Sequence, residues 1–339
     1  MLQKSTLRLL AKIALYCVFL VILAGSIVRV TGSGMGCPDW PKCFGYYIPP
    51  VNESTLLYAE HQRYEKGQMV ILNDTLWRAR NGFEAGPLFD RAQWEKYPKH
   101  DYAIFNPFHT WVEYINRLAT VVLGLPSAVL FFLTIGYAIK FKDRIPMYWT
   151  AAAMLMLLFE AWLGKLVVDG NLVENSITYH MLGSLVLLLS LLALIQYLHP
   201  NGRQVANGKS VLLGSAFMIL CFIQIILGTQ VREEVDVLNK SGIERAQWMD
   251  QMTLWFYVHR SFSLLMLLVF FLWMRELKNL GLWTKQIKWL MAALGIEICL
   301  GVILAYLDMP AVAQPLHLLW GTVLFSLAVS WRFRTRSGV

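Results

Sequence analysis

Charge is scarce in this sequence. Only 15% of its 339 residues are Asp, Glu, Lys or Arg, against roughly a quarter in a soluble domain, and this excludes an ordinary globular enzyme. Polar interruptions are scarce too. Apolar runs of about 18 residues or more recur, each long enough to cross a hydrocarbon core of roughly 30 Å. Acidic residues are nearly missing from one set of loops, and the net charge of +8 sits in short connections, so nucleic acid is not an expected partner. The basic, apolar N-terminus lacks a small-residue cleavage site, so it reads as a retained first helix and not a signal peptide.

What is present is an all-α polytopic membrane protein. Eight spans fall at about 9–31, 107–139, 146–168, 176–198, 210–231, 253–274, 287–307 and 312–331. The second is overlong, and Asn106-Pro107 opens it as N-cap and first helical residue. One set of alternate connections carries 15 basic residues, Arg203 among them, against the acids Asp143 and Glu276. The positive-inside rule then puts both termini in the cytoplasm. Membrane lipid is the immediate partner.

A long loop at about 32–106 precedes the second span. Its Glu65–Asn81 part reads as a β-hairpin turning at Asn73-Asp74. With Trp94 following, the stretch has a faint likeness to small carbohydrate-binding modules, although a structural cap is the plainer reading. The loop at about 232–252 is acidic and polar. Asn52, Asn73 and Asn239 begin glycosylation sequons. Cys37 and Cys43 sit together beyond the first span, and a disulfide is their natural reading on an oxidising side. Spacing leaves open whether it clips the loop or is redox active. Cys17, Cys221 and Cys299 lie in spans as small apolar residues.

The sequence contains a repeat. Glu160-Ala-Trp-Leu-Gly164 matches Glu297-Ile-Cys-Leu-Gly301, and His180 matches His317, all at one offset of 137 residues. Tyr114-Ile-Asn-Arg117 matches Tyr257-Val-His-Arg260 at offset 143, and Gly25-Ser-Ile-Val-Arg29 matches Gly228-Thr-Gln-Val-Arg232 at 203. Two pseudo-symmetric four-helix bundles follow, residues 1–198 and 199–339.

The repeat gives the histidines a meaning. His180, His259 and His317 each lie four to six residues into a span, roughly 6–9 Å deep at 1.5 Å per residue. Facing imidazoles in the C-terminal bundle, His259 and His317, suit axial ligation of a heme iron. The cysteine and carboxylate ligands that a zinc site would add are not evident. In the N-terminal half Asn116 stands where the other half has His259, and Glu113 where it has Phe256. A carboxylate within a span is costly without a task, and pairing with Arg117 at i,i+4 is the bland alternative. This asymmetry suggests one half for a fixed cofactor and the other for a substrate. Glu160 and Glu297, present in both halves, read as structural residues between helices. Arg29, Arg117, Arg232 and Arg260 are placed to pair with heme propionates, with lipid-headgroup contact the alternative for Arg29 and Arg232.

Thr31-Gly-Ser-Gly-Met-Gly-Cys37-Pro-Asp-Trp-Pro-Lys-Cys43, Glu113-Tyr-Ile-Asn-Arg117 and the histidines at 180, 259 and 317 resemble the heme A synthase family. The resemblance covers all eight spans but not the 50–105 insert. It implies oxidation of the C8 methyl of heme O to the formyl group of heme A by successive hydroxylations. It implies heme b held by His259 and His317, with substrate heme O in the N-terminal bundle. It implies Glu113 as the catalytic carboxylate, His180 as a substrate-heme ligand, and a Cys37–Cys43 disulfide. Heme O synthase and cytochrome oxidase assembly are the implied partners, and a bacterial inner membrane with the site toward its outer face the implied location. Whether the chain forms a homo-oligomer stays open.

Asn116 departs from the family, which has a second histidine there, so Asn116 and Arg117 line the substrate site without supplying an iron ligand. His109 is two turns away, about 10 Å along the helix, too far to substitute. Heme O is then expected on His180 alone, with Asn116 bonding a water or the sixth-position ligand. Two rival readings are a bis-histidine b-type cytochrome in quinol electron transfer and a non-catalytic heme carrier.

Overall fold

The protein was studied as a computed structural model, which describes residues 3–99, 104–169, 175–199 and 204–337. Among these residues lie nine α-helices: α1 (Lys4–Val30), α2 (Pro107–Phe141), α3 (Ile145–Asp169), α4 (Ser176–Tyr197), α5 (Gly208–Lys240), the single turn α6 (Trp248–Gln251), α7 (Leu254–Asn279), α8 (Lys285–Tyr306) and α9 (Ala313–Arg334). All but α6 are long and apolar enough to cross a membrane. This is a multi-pass membrane protein. Arg203, counted in the charge pattern, lies outside the described residues.

Each predicted span lies within one of these helices or within a residue of its ends, because apolar length sets both. The exact ends follow local hydrogen bonding. Asn106 caps α2 as expected, its Oδ1 accepting from the His109 backbone N–H at 3.2 Å. Asn207 caps α5 by accepting from Ser210 N–H at 2.8 Å. The largest correction concerns α5. The segment expected to begin a polar loop at 232 stays helical to Lys240, because no breaker interrupts it and Arg232 pairs with Asp236 one turn on. It stops at Gly242, whose φ of 74° suits glycine, with Ile243 N–H bonding back to Leu238 O in the manner of a Schellman cap.

The chain divides into two compact units. One comprises residues 1–26, 121–160 and 177–339. Its core runs through Leu7, Ala11, Ala14 and Val18 of α1, Leu185, Leu188 and Leu191 of α4, and Phe217, Trp273, Ala328 and Val329 of the later helices. Since lipid is as apolar as leucine, close packing holds such helices together. α5 packs on α7 and α9, and α8 on α9. Gly214 of α5 allows one close approach, because a Cβ there would strike the Trp331 ring. A short parallel pair, β6 (Gln204–Ala206) with β7 (Thr335–Ser337), joins the start of α5 to the end of α9.

The other unit comprises residues 27–120 and 161–176. Its strands are β1 (Arg63–Tyr64), β2 (Met69–Leu72), β3 (Thr75–Ala79), β4 (Phe83–Glu84) and β5 (Trp94–Lys96). β2 and β3 form the expected hairpin with Val70 opposite Trp77. Asn73 and Asp74 have φ of 51° and 53°, the geometry of a type I′ turn. β5 adds to β3, and β1 pairs with β4. Trp94 is only 1% exposed, packed on Tyr64, Phe83 and Phe89. A buried ring cannot stack on a sugar, so the likeness to carbohydrate-binding modules fails at this residue, and Trp94 is core.

Candidate functional site

α7 brings in His259 and α9 brings in His317. Their ring centroids are 6.3 Å apart with planes at 84°. A first-row metal–imidazole bond is roughly 2 Å and a ring nitrogen lies about 1 Å from its ring centre, so two axial imidazoles on one metal have centroids about 6 Å apart. The pair fits that spacing. In each ring Nδ1 is buried without a hydrogen bond. Gly228 of α5 lies against His259, where a Cβ would come within 3.2 Å of Cε1, and Gly301 of α8 lies against His317. The repeated glycines Gly228 and Gly301 thus clear room around the two rings. Gln224 fixes the helix behind His259 by donating to its backbone carbonyl at 3.0 Å.

Among the described residues no three His, Cys, Asp or Glu side chains gather as a metal site. Two imidazoles alone suit an iron whose other four ligands come from a porphyrin.

His180 of α4 has a different companion. Its Nδ1 lies 2.7 Å from Oε2 of Glu160 on α3. Glu297 of α8 stands in the matching relation to His317, with Oε1 3.1 Å from Nδ1, though off the line of a good hydrogen bond. Reading Glu160 and Glu297 as ties between helices missed this contact. The available signal was that the glutamates share the histidines' offset of 137 residues.

In the other unit, Glu113 of α2 is 5% exposed. It accepts the Cys37 backbone N–H at 2.8 Å and pairs with Arg117, so the i,i+4 pairing weighed as the bland alternative is present. Arg117 also donates to the carbonyls of Asp39 and Lys42 at 2.8 and 2.7 Å. Together they hold the loop closed by the Cys37–Cys43 disulfide onto the helix. Thr110 adds a bond to Gly36 O at 2.8 Å, and Gly36 sits so near the His109 backbone that no side chain would fit. Burial pushes the Asp39 carboxyl above its usual range, against the Gly45 N–H and Arg117 beside it. His109 is bonded through Nδ1 to Ser33 Oγ at 2.9 Å. Asn116 leaves its Oδ1 buried and without a hydrogen-bond partner.

The arginines differ in company. Arg29 donates to Ser176 Oγ at 2.5 Å. Arg232 bonds Asp236 and Gln314. Arg260 is exposed and lies over the rings of Phe256 and Tyr257.

The sequence profile of the cytochrome oxidase assembly protein family matches residues 8–76 and 75–329. The chain is 26% identical over 254 residues to a heme A synthase of Shewanella oneidensis, a match covering 72% of this chain and 63% of that protein. It is 37% identical over 71 residues to a heme A synthase of Bacillus pumilus, covering 21% of this chain and 23% of that one. The chain thus spans less than two thirds of the length of the relatives it matches.

Proposed function

The chain belongs to the cytochrome oxidase assembly protein family, and from that premise we propose that it is a heme A synthase. It oxidises the C8 methyl of heme O to a formyl group by successive hydroxylations, supplying heme A for cytochrome oxidase. The observation that carries the reading is the His259–His317 pair at the centroid spacing of two axial imidazoles, in a chain with a second heme-type histidine at the repeat-equivalent place, His180. Heme b held there would supply one-electron redox chemistry.

His259 and His317 would hold heme b. His180 would hold heme O, and Asn116, whose Oδ1 is buried without a hydrogen-bond partner, would accept from a water without binding iron itself. Glu113 is the catalytic carboxylate. Its contacts to Arg117 and Cys37 N–H occupy about two of roughly four carboxylate lone-pair sites. The rest remain free to stabilise the electron deficiency that grows beside the porphyrin, or to take a proton. Arg117 keeps that carboxylate aimed through their ion pair. Arg29, Arg232 and Arg260 serve the heme propionates, the first two by exchanging their present partners. The two repeat halves, 1–198 and 199–339, are the substrate and cofactor bundles. The protein lies in a bacterial inner membrane with cytoplasmic termini and its site toward the outer face, receiving heme O from heme O synthase.

The test is chromatography of heme extracted from a host that makes heme O but no heme A. Formyl heme appearing only when the protein is expressed supports the enzyme. Protohemes alone with a bis-histidine spectrum favour the quinol cytochrome, and heme O bound without conversion favours the carrier.

A further inference from the structure

The sequence placed Glu160 and Glu297 between helices as structural ties, and their surroundings ask for more. Both are mostly buried, with side chains 14% and 19% exposed. An ionisable group within a span is costly without a task, and a glutamine would tie two helices at lower cost. Among the described residues neither carboxylate has a second hydrogen-bonded partner. Oε1 of Glu160 and Oε2 of Glu297 are buried with none, so His180 and His317 are the polar groups they serve. The scaffold makes room for them. A Cβ on Gly183 would collide with Glu160 Oε1, and one on Gly321 would come within 2.9 Å of Glu297 Oε1. Each glycine lies about one turn beyond the histidine concerned. His259 has no such carboxylate beside it among the described residues, whereas Glu297 lies 3.1 Å from His317 Nδ1.

We propose that Glu160 and Glu297 are positioning residues that orient His180 and His317 and set how strongly each donates to heme iron. A histidine that binds iron through Nε2 carries its hydrogen on Nδ1, and a carboxylate receiving that hydrogen fixes the ring and makes it a better electron donor. Ligation at His317 Nε2 would put the hydrogen on Nδ1, which lies 3.1 Å from Glu297 Oε1. The heme b ligands are then unequal: His317 is backed by a carboxylate and His259 is bare. His180 is the strongly backed ligand of the substrate heme. A better donor stabilises ferric over ferrous iron, so removing the charge raises the midpoint potential. This rests on the heme assignments of the proposed function.

The experiment uses the full-length protein in detergent, with redox titration, optical and EPR spectra of the bound heme b, and heme O added separately. Glu297→Gln keeps the side-chain size and is expected to retain low-spin heme b while raising its potential by about 59 mV or more, a tenfold loss of ferric preference for a one-electron couple. Glu297→Asp, which keeps the charge, is expected to fall between that variant and the natural protein. Glu160→Gln is expected to leave the heme b potential alone and to change the spectrum of bound heme O. If Glu297→Gln does not hold heme, the Glu297→Asp potential decides. A full complement of heme b at an unshifted potential in the variant that holds it overturns the proposal and leaves Glu297 a helix tie. An equal shift of the heme b potential in Glu160→Gln overturns it too, since the two carboxylates would not act locally. Natural protein that binds no heme b overturns the underlying assignment itself.

Discussion

The N-terminal and C-terminal halves repeat the same residues, at offsets of 137, 143 and 203, and give them different company. His317 and His180 each stand beside a glutamate from the preceding long helix. His259 faces His317 across 6.3 Å, while its counterpart Asn116 leaves a side-chain oxygen buried and unbonded. Phe256 is apolar and buried, while its counterpart Glu113 is buried and ionisable, tied to Arg117 and to the disulfide loop. The C-terminal half pairs two imidazoles at the spacing that the proposed heme b requires, with Glu297 beside one of them. The N-terminal half trades one ligand for a carboxylate. On the proposed assignment, the differences at two places on one helix are what separate holding a heme from working on one.

That contrast breaks most visibly at the cofactor pair. If His259 and His317 are the two protein ligands proposed, changing either to Ala is expected to abolish or shift the low-spin b-type spectrum. An unchanged spectrum in both would end the assignment. Next in size is Glu113→Gln. It keeps volume and can still accept from Cys37 N–H, so heme b content and expression should hold. Heme A formation should fall by about a hundredfold or more if the carboxylate handles charge or protons. Heme A made at the natural rate would show that the Glu113–Arg117 pair only anchors the loop.

A smaller change sharpens the comparison by making the halves alike. Asn116→His restores the second ligand, and the heme O component is expected to turn low spin in EPR while activity is kept or altered only moderately. Smallest is Cys37→Ser. Opening so short a loop costs roughly 2 kcal/mol in unfolded-state entropy. The expected result is faster proteolysis of the segment around 36–43 with the heme b spectrum intact.

Much of this was legible in the linear sequence, and the rest was hidden for physical reasons. The eight spans were readable because a hydrocarbon core demands length and apolarity. Helix ends were less so, since α1 begins at Lys4 and α5 runs to Lys240, beyond where hydropathy changes. The hairpin showed itself in Asn73-Asp74, whereas β1, β4 and β5 are two or three residues long and carry no alternation to detect. The histidines stood out through the repeat. The Glu160–His180 contact joins residues 20 apart on two helices, and Glu113 meets a backbone amide 76 residues upstream. Periodicity along one helix cannot report either.

The central claim is that one chain holds two unlike heme sites, and the EPR spectrum of the natural protein loaded with heme O tests it most directly. Two populations are predicted, a low-spin signal from heme b between His259 and His317 and a high-spin or mixed-spin signal from heme O on His180. A spectrum in which both hemes are fully low spin would contradict the account, because a second strong ligand would then stand where Asn116 offers none.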